Sequence, residues 1–444
     1  MTTPEQHRAA ARDRMVPEVT AAMALADFPI RAWPPDWRDR EDVAYFYVSG
    51  SVLTREEDVP RVAEALRDLP GPLAATSDRS GTGEVALDRP TDGLARFRLP
   101  GAQDFGHDSD PTPGVVDELE RRLGPGVASH EHAFEVTYVH CPATEPLEAV
   151  PPGTSDLAAH LWPPPSDGDA GTGVLVSVVD TGLLDHVADW APWLTGVVPG
   201  SAPDDIDPAD AYDVITHQPN ADGFADPYAA HGSFISGVIR CVAPGAEIVN
   251  ERLIGPSGFV AETSMITQIR QALSRSPDIV SLSAGGHTRN DDPPIGLQLL
   301  YRQRFAQQGG VVLVAAAGND ATNRPFWPAA FDWAVGVGSM TRDGQQRSWF
   351  TNHGSWVDAY APGEDIVNVY ARLDYETVNP PHERRRTSAG LARWSGTSFA
   401  TPVVAGLVAA RMSRTGENGR QAAQAVLAAA RAQFRPGVGP RLFP

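Results

Sequence analysis

The spacing of apolar residues changes along the chain and predicts two kinds of sheet. Between residues 43 and 140, segments such as 94–99 alternate apolar and polar residues, which is typical of strands with one exposed face. From residue 173 onward, segments such as 174–180 are almost uniformly apolar, as expected of strands covered on both faces. The first part is therefore expected to be α+β and the second part α/β.

The first part has a predicted order of strand, helix, strand, strand, helix and strand. These elements cover residues 43–48, 59–69, 84–87, 94–99, 112–123 and 133–139. The order is typical of a small ferredoxin-like domain, which we place at residues 43–140 after an N-terminal arm of residues 1–42. His130, His132 and His140 lie close together in it. No Cys or carboxylate pattern completes a metal site there, so we expect surface histidines.

The second part alternates strands with helices. Strands are predicted at residues 174–180, 248–253, 278–283 and 311–317, and helices at 231–240, 261–274 and 295–308. This alternation predicts a doubly wound, mostly parallel sheet, in which sites form beyond the carboxyl ends of the strands. A Pro/Gly-rich linker at residues 141–170 separates this domain, residues 171–444, from the first one.

Four polar residues fall where that rule places a site. Asp180 ends the first buried strand, and Asn319 follows another one. His231 opens a helix, and Ser398 precedes the apolar run 403–410. Taken alone, each is better explained as a turn, capping or surface residue. Together they bring a carboxylate, an amide, an imidazole and an alcohol to one edge of one sheet, which favours nucleophilic catalysis.

Composition narrows the classes of function. The net charge of −20 argues against a nucleic-acid partner, because affinity for phosphates comes from clustered Lys and Arg. No stretch has the length and apolarity of a signal peptide or a membrane span, so we expect a cytoplasmic protein without membrane contact. Cys141 and Cys241 are too few for a disulfide framework, and we expect two structural thiols.

Four short segments resemble the signature blocks of one enzyme family. In chain order they are Asp180-Thr181-Gly182, His231-Gly232-Ser233, Ala317-Gly318-Asn319 and Gly396-Thr397-Ser398. Their order is that of the subtilisin-like serine peptidases, the subtilases, and the resemblance covers about residues 170–444. It implies a subtilisin-like fold. The segment Ser283-Ala284-Gly285 is similar to the one that lines the family's substrate cleft.

The resemblance implies a role for each residue. His231 would accept the proton of Ser398 and later protonate the leaving amine, while Asp180 would hold the imidazole in the correct tautomer. The Asn319 side chain and the Ser398 N–H would stabilise the oxyanion. An extended substrate would add a strand to Ser283, Ala284 and Gly285, with Ala317 and Gly318 beside it, and this chemistry needs no cofactor.

The chain departs from the family's pattern at several places. Phe234 stands where the family usually has a second His, and the link at residues 366–394 looks longer than usual. That link is a plain insertion, a flap over the cleft or a self-cleavage site. The acidic loop at residues 204–226 is read first as a solvated loop. A structural calcium, as in some subtilases, and a preference for basic substrates stay open.

The N-terminal domain resembles the prodomain of secreted subtilases in its order of elements. We expect it either to restrain the cleft or to recruit one chosen protein, and whether it is cut off stays open. The leading interpretation is an intracellular serine endopeptidase that acts on protein or peptide substrates in a processing or regulatory role. A pseudo-protease is disfavoured because all four chemical groups are present. An esterase is disfavoured because Ala400 stands where its Gly-x-Ser-x-Gly elbow needs the second Gly.

Overall fold

The computed structural model describes most of the chain. It covers residues 19–20, 22–24, 26–38, 42–69, 85–100, 109–136, 146–151, 153–166, 168–200, 228–255, 257–375 and 386–444, and four two-residue strands between residues 206 and 225.

An antiparallel sheet forms the N-terminal part of the molecule. Its strands and helices are β1 (Ile30–Trp33), β2 (Tyr45–Arg55), α1 (Val59–Arg67), β3 (Ala86–Thr91), β4 (Leu94–Arg98), α2 (Thr112–Leu123) and β5 (Ala128–Val136). The strands lie in the order β5-β2-β4-β3, and β1 pairs with the start of β2. From β2 to β5 the elements follow the order expected from the sequence. The arm of residues 1–42 contributes β1 to this sheet.

A separate apolar core lies between this sheet and its two helices. Its buried members come from both helices and from three strands, and they include Val52, Val62, Leu66, Phe97, Val116, Leu119 and Ala128. Pro60 is tolerated because it lies in the first turn of α1, where a missing N–H breaks no helical hydrogen bond. The two helices therefore cover one face of this sheet.

The strands β2 and β5 extend beyond the apolar segments from which they were predicted. β2 continues past Gly50, whose φ of +71° accompanies a shift of register against β5. β5 begins at Ala128 because polar residues in its first half are buried rather than exposed. Glu131, for example, accepts a hydrogen bond of 2.5 Å from the Ser51 hydroxyl and one from Thr263 of the C-terminal part.

His130 and His132 are buried, so the expectation of surface histidines is wrong for both. The ring of Tyr45 lies 5.4 Å from that of His130, and His132 Nδ1 lies 3.4 Å from the carboxylate of Glu262 in the C-terminal part. The alternation along β5 shows that these side chains share a face, but it does not reveal what covers that face. His140 lies outside the described residues.

A parallel sheet forms the centre of the C-terminal part. In spatial order its strands are β20 (Ala359–Pro362), β19 (Ala334–Met340), β18 (Val312–Ala316), β16 (Ile279–Leu282), β7 (Leu175–Asp180), β14 (Glu247–Arg252) and β9 (Val198–Pro199). All pairs in it are parallel. Most of their residues are buried, which explains the uniformly apolar sequence of the strands.

Helices connect and cover this sheet. They are α3 (His231–Val242), α4 (Glu262–Ser274), α5 (Ile295–Leu300), α6 (Thr397–Thr415) and α7 (Gly419–Ala432). The helix expected at residues 295–308 is shorter, because α5 passes at Tyr301 into a π-helical turn that ends at Phe305. Both aromatic rings of that turn pack against Trp333. Within the described ranges, no helix combines the length and apolarity needed to cross a bilayer.

Short strands complete the architecture. They are β6 (Leu147–Glu148), β8 (Leu183–Leu184), β10 (Ile206–Asp207), β11 (Tyr212–Asp213), β12 (Gln218–Pro219), β13 (Phe224–Ala225), β15 (Phe259–Ala261), β17 (Ala284–Gly285), β21 (Ile366–Val369), β22 (Asp374–Tyr375), β23 (Arg386–Thr387) and β24 (Leu391–Trp394). β6, from the linker, pairs with β24 just before the serine block.

The two parts of the molecule are joined through strand β5. Its end pairs in antiparallel fashion with β15 and also with β17, so the strand runs between these two short strands of the C-terminal part. Arg289 adds a charged contact, because its guanidinium lies 2.6 Å from Asp117 and 2.5 Å from Glu120, both on α2. The N-terminal sheet thus extends directly into the C-terminal part.

Candidate active site

The structure places the four polar residues of the sequence analysis at one side of the parallel sheet. Asp180 is the last residue of β7, and Asn319 lies three residues beyond the end of β18. His231 is the first residue of α3, and Ser398 is the second residue of α6. Strand ends and helix starts therefore carry all four groups, as the rule for open α/β sheets predicts.

Asp180 and His231 form a direct hydrogen bond. His231 Nδ1 lies 2.6 Å from Asp180 Oδ1, and both side chains are fully buried. The same carboxylate oxygen also accepts a 2.8 Å hydrogen bond from the backbone N–H of Thr181. Because a carboxylate only accepts, the proton of neutral His231 is assigned to Nδ1. Its Nε2, which has no partner among the described residues, is left with a free lone pair.

Aromatic rings surround the imidazole of His231. The ring of Trp394 lies 5.5 Å away at 85°, and the ring of Phe399 lies 5.3 Å away. Phe234, which stands where the related family has a second His, packs 4.7 Å from Phe399 and 5.8 Å from Trp394. The substitution therefore extends an apolar cluster behind His231 and leaves the hydrogen bond to Asp180 in place.

Ser398 lies in the first turn of a long buried helix. At such a position backbone N–H groups have no partner within the helix, and negative charge is stabilised by the helix dipole. Ser283 Oγ donates a 3.1 Å hydrogen bond to the carbonyl of Ser398. The N–H of Gly396 donates to the carbonyl of Gly363 at 2.9 Å, so the segment before the helix is also held.

The side-chain amide of Asn319 is turned toward the serine block. Its Oδ1 accepts a 2.9 Å hydrogen bond from the N–H of Thr397, which orients the amide. Its Nδ2 is buried and has no partner in the part of the chain that the structure describes. Gly318 adopts a φ of +90°, and its N–H donates to Thr397 Oγ1 at 3.2 Å. Together with buried Ala317, these contacts lock the 317–319 turn against the start of α6.

The segment expected to bind an extended substrate is β17 with Ser283 before it. All three residues, Ser283, Ala284 and Gly285, are buried. In this structure β17 is paired with β5 of the N-terminal part, with Ala284 opposite Val136 and Gly285 opposite Glu135. A strand of the chain itself therefore lies where an extended peptide was expected.

Other expectations concern residues near the cleft. The described part of the chain contains no group of three His, Cys, Asp or Glu residues arranged to hold a metal ion. The side chains of the acidic loop and of Arg384, Arg385 and Arg386 lie outside the described part of the structure, as does Cys141. Cys241 is a buried free thiol, and burial raises the pKa of that thiol to about 12, so it is not a reactive nucleophile.

Sequence reasoning missed several residues that shape this site. Thr397 contacts both Asn319 and Gly318, and its place inside the serine block was the only available signal. Trp394, whose ring lies 5.5 Å from that of His231, carried no signal of its own in the sequence. Asn352, which contacts the 317–320 turn, carried no signal, because a single Asn in a loop is ordinary.

Comparisons with known proteins all point to one enzyme family. A family model described as the subtilase family matches residues 171–439. Thermitase of Thermoactinomyces vulgaris is 32% identical over 257 residues, which cover 57% of this chain and 80% of thermitase. An alkaline protease of Alkalihalobacillus alcalophilus is 27% identical over 311 residues, which cover 67% of this chain and 66% of that protein.

Among solved structures, fervidolysin from Fervidobacterium pennivorans, described as a keratinolytic enzyme related to subtilisin, shares the fold. The TM-score is 0.55 at 19% identity, and the match covers 89% of this chain and 60% of fervidolysin. That coverage exceeds the range of the family model, so the shared fold includes much of the N-terminal part. The family model spans more than half of the chain, and the chain belongs to the subtilase family of subtilisin-like serine endopeptidases.

Proposed function

We propose that this subtilase cleaves peptide bonds with Ser398 as nucleophile, His231 as general base and acid, and Asp180 as the group that orients His231. The observation that carries the proposal is the 2.6 Å hydrogen bond between His231 Nδ1 and Asp180, both fully buried. It leaves Nε2 as the proton acceptor that a serine hydroxyl needs, because the hydroxyl is a weak nucleophile without a base.

The reaction follows from this arrangement. His231 Nε2 takes the proton of Ser398 as the hydroxyl attacks the substrate carbonyl, and the buried Asp180 carboxylate stabilises the imidazolium that forms. The imidazolium then protonates the leaving amine, and an acyl-enzyme remains on Ser398. Water attacks this ester in the second half of the reaction, with His231 again acting as base.

Stabilisation of the oxyanion is assigned to the side chain of Asn319 and the N–H of Ser398. Asn319 Nδ2 is buried, unpartnered within the described residues, and held by the bond from Thr397 to the other side of its amide. A donor that is already oriented needs little reorganisation as charge develops on the substrate oxygen. Removing one such donor lowers kcat by about 10²–10³-fold, a magnitude measured on a subtilisin rather than worked from this chain.

Substrate is proposed to bind as an extended strand along Ser283, Ala284 and Gly285, next to Ala317 and Gly318. The support is that β17 accepts a strand from β5 in antiparallel register. Main-chain hydrogen bonds of this kind bind many sequences, whereas specificity comes from the pockets that receive alternate side chains.

The N-terminal part is proposed to act as an intramolecular inhibitor that occupies this cleft. We divide the chain into an arm (1–42), a ferredoxin-like domain (43–140), a linker (141–170) and a catalytic domain (171–444). The strand order β5-β2-β4-β3 and the helices between them support the ferredoxin-like assignment. The insertion of β5 between β15 and β17 supports the inhibitory role.

An intracellular processing or regulatory role is proposed for the enzyme. If a domain of the same chain covers the active site, the enzyme stays inactive until that domain is displaced. Such an arrangement suits an enzyme that is activated by a specific event rather than one that is always active. The buried free thiol of Cys241 suits a reducing compartment. Fractionation of the producing cells, with detection of this chain in the cytosol or in the medium, tests the location.

A serine-directed fluorophosphonate probe tests the chemistry. We expect the purified chain to be labelled and to cleave a peptide library, and we expect Ser398→Ala to lose both properties while keeping its circular dichroism spectrum. Ser177→Ala is the matched control, because it removes a fully buried hydroxyl from β7 that belongs to neither the proposed catalytic residues nor the proposed substrate-binding residues. Labelling that persists in Ser398→Ala would refute the assignment of the nucleophile.

A further inference from the structure

Asn352 is a buried residue of the loop between β19 and β20, 33 positions after Asn319 in the sequence. Its side chain bonds to the backbone on both sides of Asn319. Asn352 Nδ2 donates to the carbonyl of Ala317 at 2.9 Å, and Asn352 Oδ1 accepts from the N–H of Asp320 at 2.9 Å. The same oxygen accepts a longer bond, 3.2 Å, from the N–H of Thr322.

The backbone of Asn352 adds a further contact to the same turn. Its N–H donates to the carbonyl of Gly318 at 2.9 Å. Gly318 has a φ of +90°, and a Cβ at that position would collide with Asn352 Nδ2. The Asn352 amide therefore packs against the turn so closely that only glycine is accommodated at position 318.

Two residues fix the position of Asn319, namely Thr397 and Asn352. The bond from Thr397 to Asn319 Oδ1 sets the rotation of the side-chain amide, whereas the bonds of Asn352 hold the backbone from which that side chain extends. A shift of about 1 Å in a catalytic group is enough to cost about 10²-fold in rate. The position of Asn319 Nδ2 thus depends on residue 352 although the two side chains are not bonded to each other.

We propose that Asn352 is a positioning residue for the oxyanion donor Asn319. The proposal rests on the proposed function, in which Asn319 Nδ2 binds the oxyanion. Asn352 itself touches neither substrate nor reacting atoms. Its loss weakens only an interaction that strengthens in the transition state, so it lowers kcat and leaves KM nearly unchanged.

A double-mutant cycle on the full chain tests the proposal. Rates are measured with a peptide substrate and divided by the number of active sites titrated with a fluorophosphonate. We expect Asn352→Ala to lower kcat by about 10-fold or more with KM within about 2-fold, and to lower kcat less than about 2-fold when Asn319 is already Ala. An equal loss in both backgrounds, or no loss in either, overturns the proposal.

The control variant is Asn368→Ala. Asn368 is also fully buried, and its side chain accepts bonds from Trp193 and from the N–H of Val369, away from the 317–320 turn. The Asn368→Ala variant therefore measures the effect of losing a buried amide in general. We expect its kcat to stay near that of the parent. A kcat loss in Asn368→Ala equal to that in Asn352→Ala counts against a specific role.

A second variant and a second measurement keep the test decisive. If Asn352→Ala does not fold, Asn352→Asp removes the donor to the Ala317 carbonyl, which also lies 3.5 Å from Asp320 Oδ2, and keeps the acceptor for the N–H of Asp320. The same dependence on Asn319 is then expected at about 5-fold in kcat. Crystal structures of the variants should show Asn319 Nδ2 displaced, and an unmoved Nδ2 overturns the proposal even if the chain has no turnover. Absence of Ser398-dependent turnover in the parent would instead refute the proposed function alone.

Discussion

Truncation of Phe134 to Ala should release strand β5 from its pairing with β15 and β17. Phe134 is fully buried, and it packs with the large apolar cluster of the C-terminal part rather than with the separate core between the N-terminal sheet and its helices. Its ring packs directly against the backbone of Gly286, the residue that follows β17. The contact is close, because a Cβ added to Gly286 would lie only 2.9 Å from the ring. Loss of this ring therefore weakens the junction between the two parts more than the fold of either.

The size of the effect follows from the burial. Removing a fully buried Phe side chain costs about 3–5 kcal/mol, because both the transfer free energy and the contacts around the resulting cavity are lost. We take about 3 kcal/mol, because strands at a junction can close part of the cavity. Since about 1.4 kcal/mol corresponds to a factor of ten, the equilibrium for opening the junction should shift by more than about 100-fold.

Hydrogen exchange measures this opening directly. In Phe134→Ala, the amides of β15 and β17 should exchange more than about 100-fold faster, while those of β7 and β16 keep their protection. The rate of cleavage of a small peptide should rise in parallel. Phe305→Ala is the matched control, because Phe305 is equally buried but packs against Trp333 within the C-terminal part. Unchanged protection of β17 in Phe134→Ala would refute the reasoning.

Three further predictions concern the triad, pH and metal ions. Asp180→Asn should lower kcat by about 10⁴-fold with little change in KM, because His231 then lacks the acceptor that sets its tautomer; steady-state kinetics decides, and a loss below about 10-fold would contradict the role of Asp180. Burial, with His132 and Arg289 nearby, holds the pKa of His130 well below its ordinary value. The unfolded chain therefore takes up this proton first as pH falls, so the contribution of His130 to the free energy of unfolding is complete above about pH 6.5 and is lost below it. Urea unfolding should show stability decreasing from pH 7 to pH 5, and decreasing less in His130→Phe; equal slopes would count against this account. EDTA should leave the initial rate of peptide cleavage unchanged, because all proposed catalytic groups belong to the chain, and a drop in rate restored by calcium would show that a bound ion is required.

The apolar periodicity predicted much of the architecture, because the pattern of apolar residues in a strand indicates whether one or both of its faces are buried. The uniformly apolar strands β7, β16 and β18 were predicted within one or two residues. As expected, Asp180 ends its strand and Asn319 follows its strand. Side-chain periodicity says nothing, however, about which distant segment does the covering. The contact of buried His130 with Tyr45 and the pairing of β5 with β17 join residues that are far apart in the sequence, and local patterns do not contain them.

Candidate site residues could be proposed from the sequence where chemistry and spacing coincide, but not where a residue contacts the backbone of the candidate site. Asp180, His231 and Ser398 belong to short blocks whose order is informative even without a structure. Asn352 and Trp394 have no such pattern, because a hydrogen bond to a main-chain carbonyl or a contact between ring faces can be made from many places in a chain. Only the folded geometry shows which place is used.

Because β5 is covalently continuous with the part of the chain whose strands β15 and β17 it pairs with, this pairing does not depend on how much protein is present. The linker sets a fixed effective concentration, so diluting the intact chain leaves β5 paired with β15 and β17 as before. A single break in the chain between β5 and β6 would turn this contact into an ordinary equilibrium between two molecules. β6 would remain paired with β24, and the N-terminal piece alone would be free to dissociate on dilution.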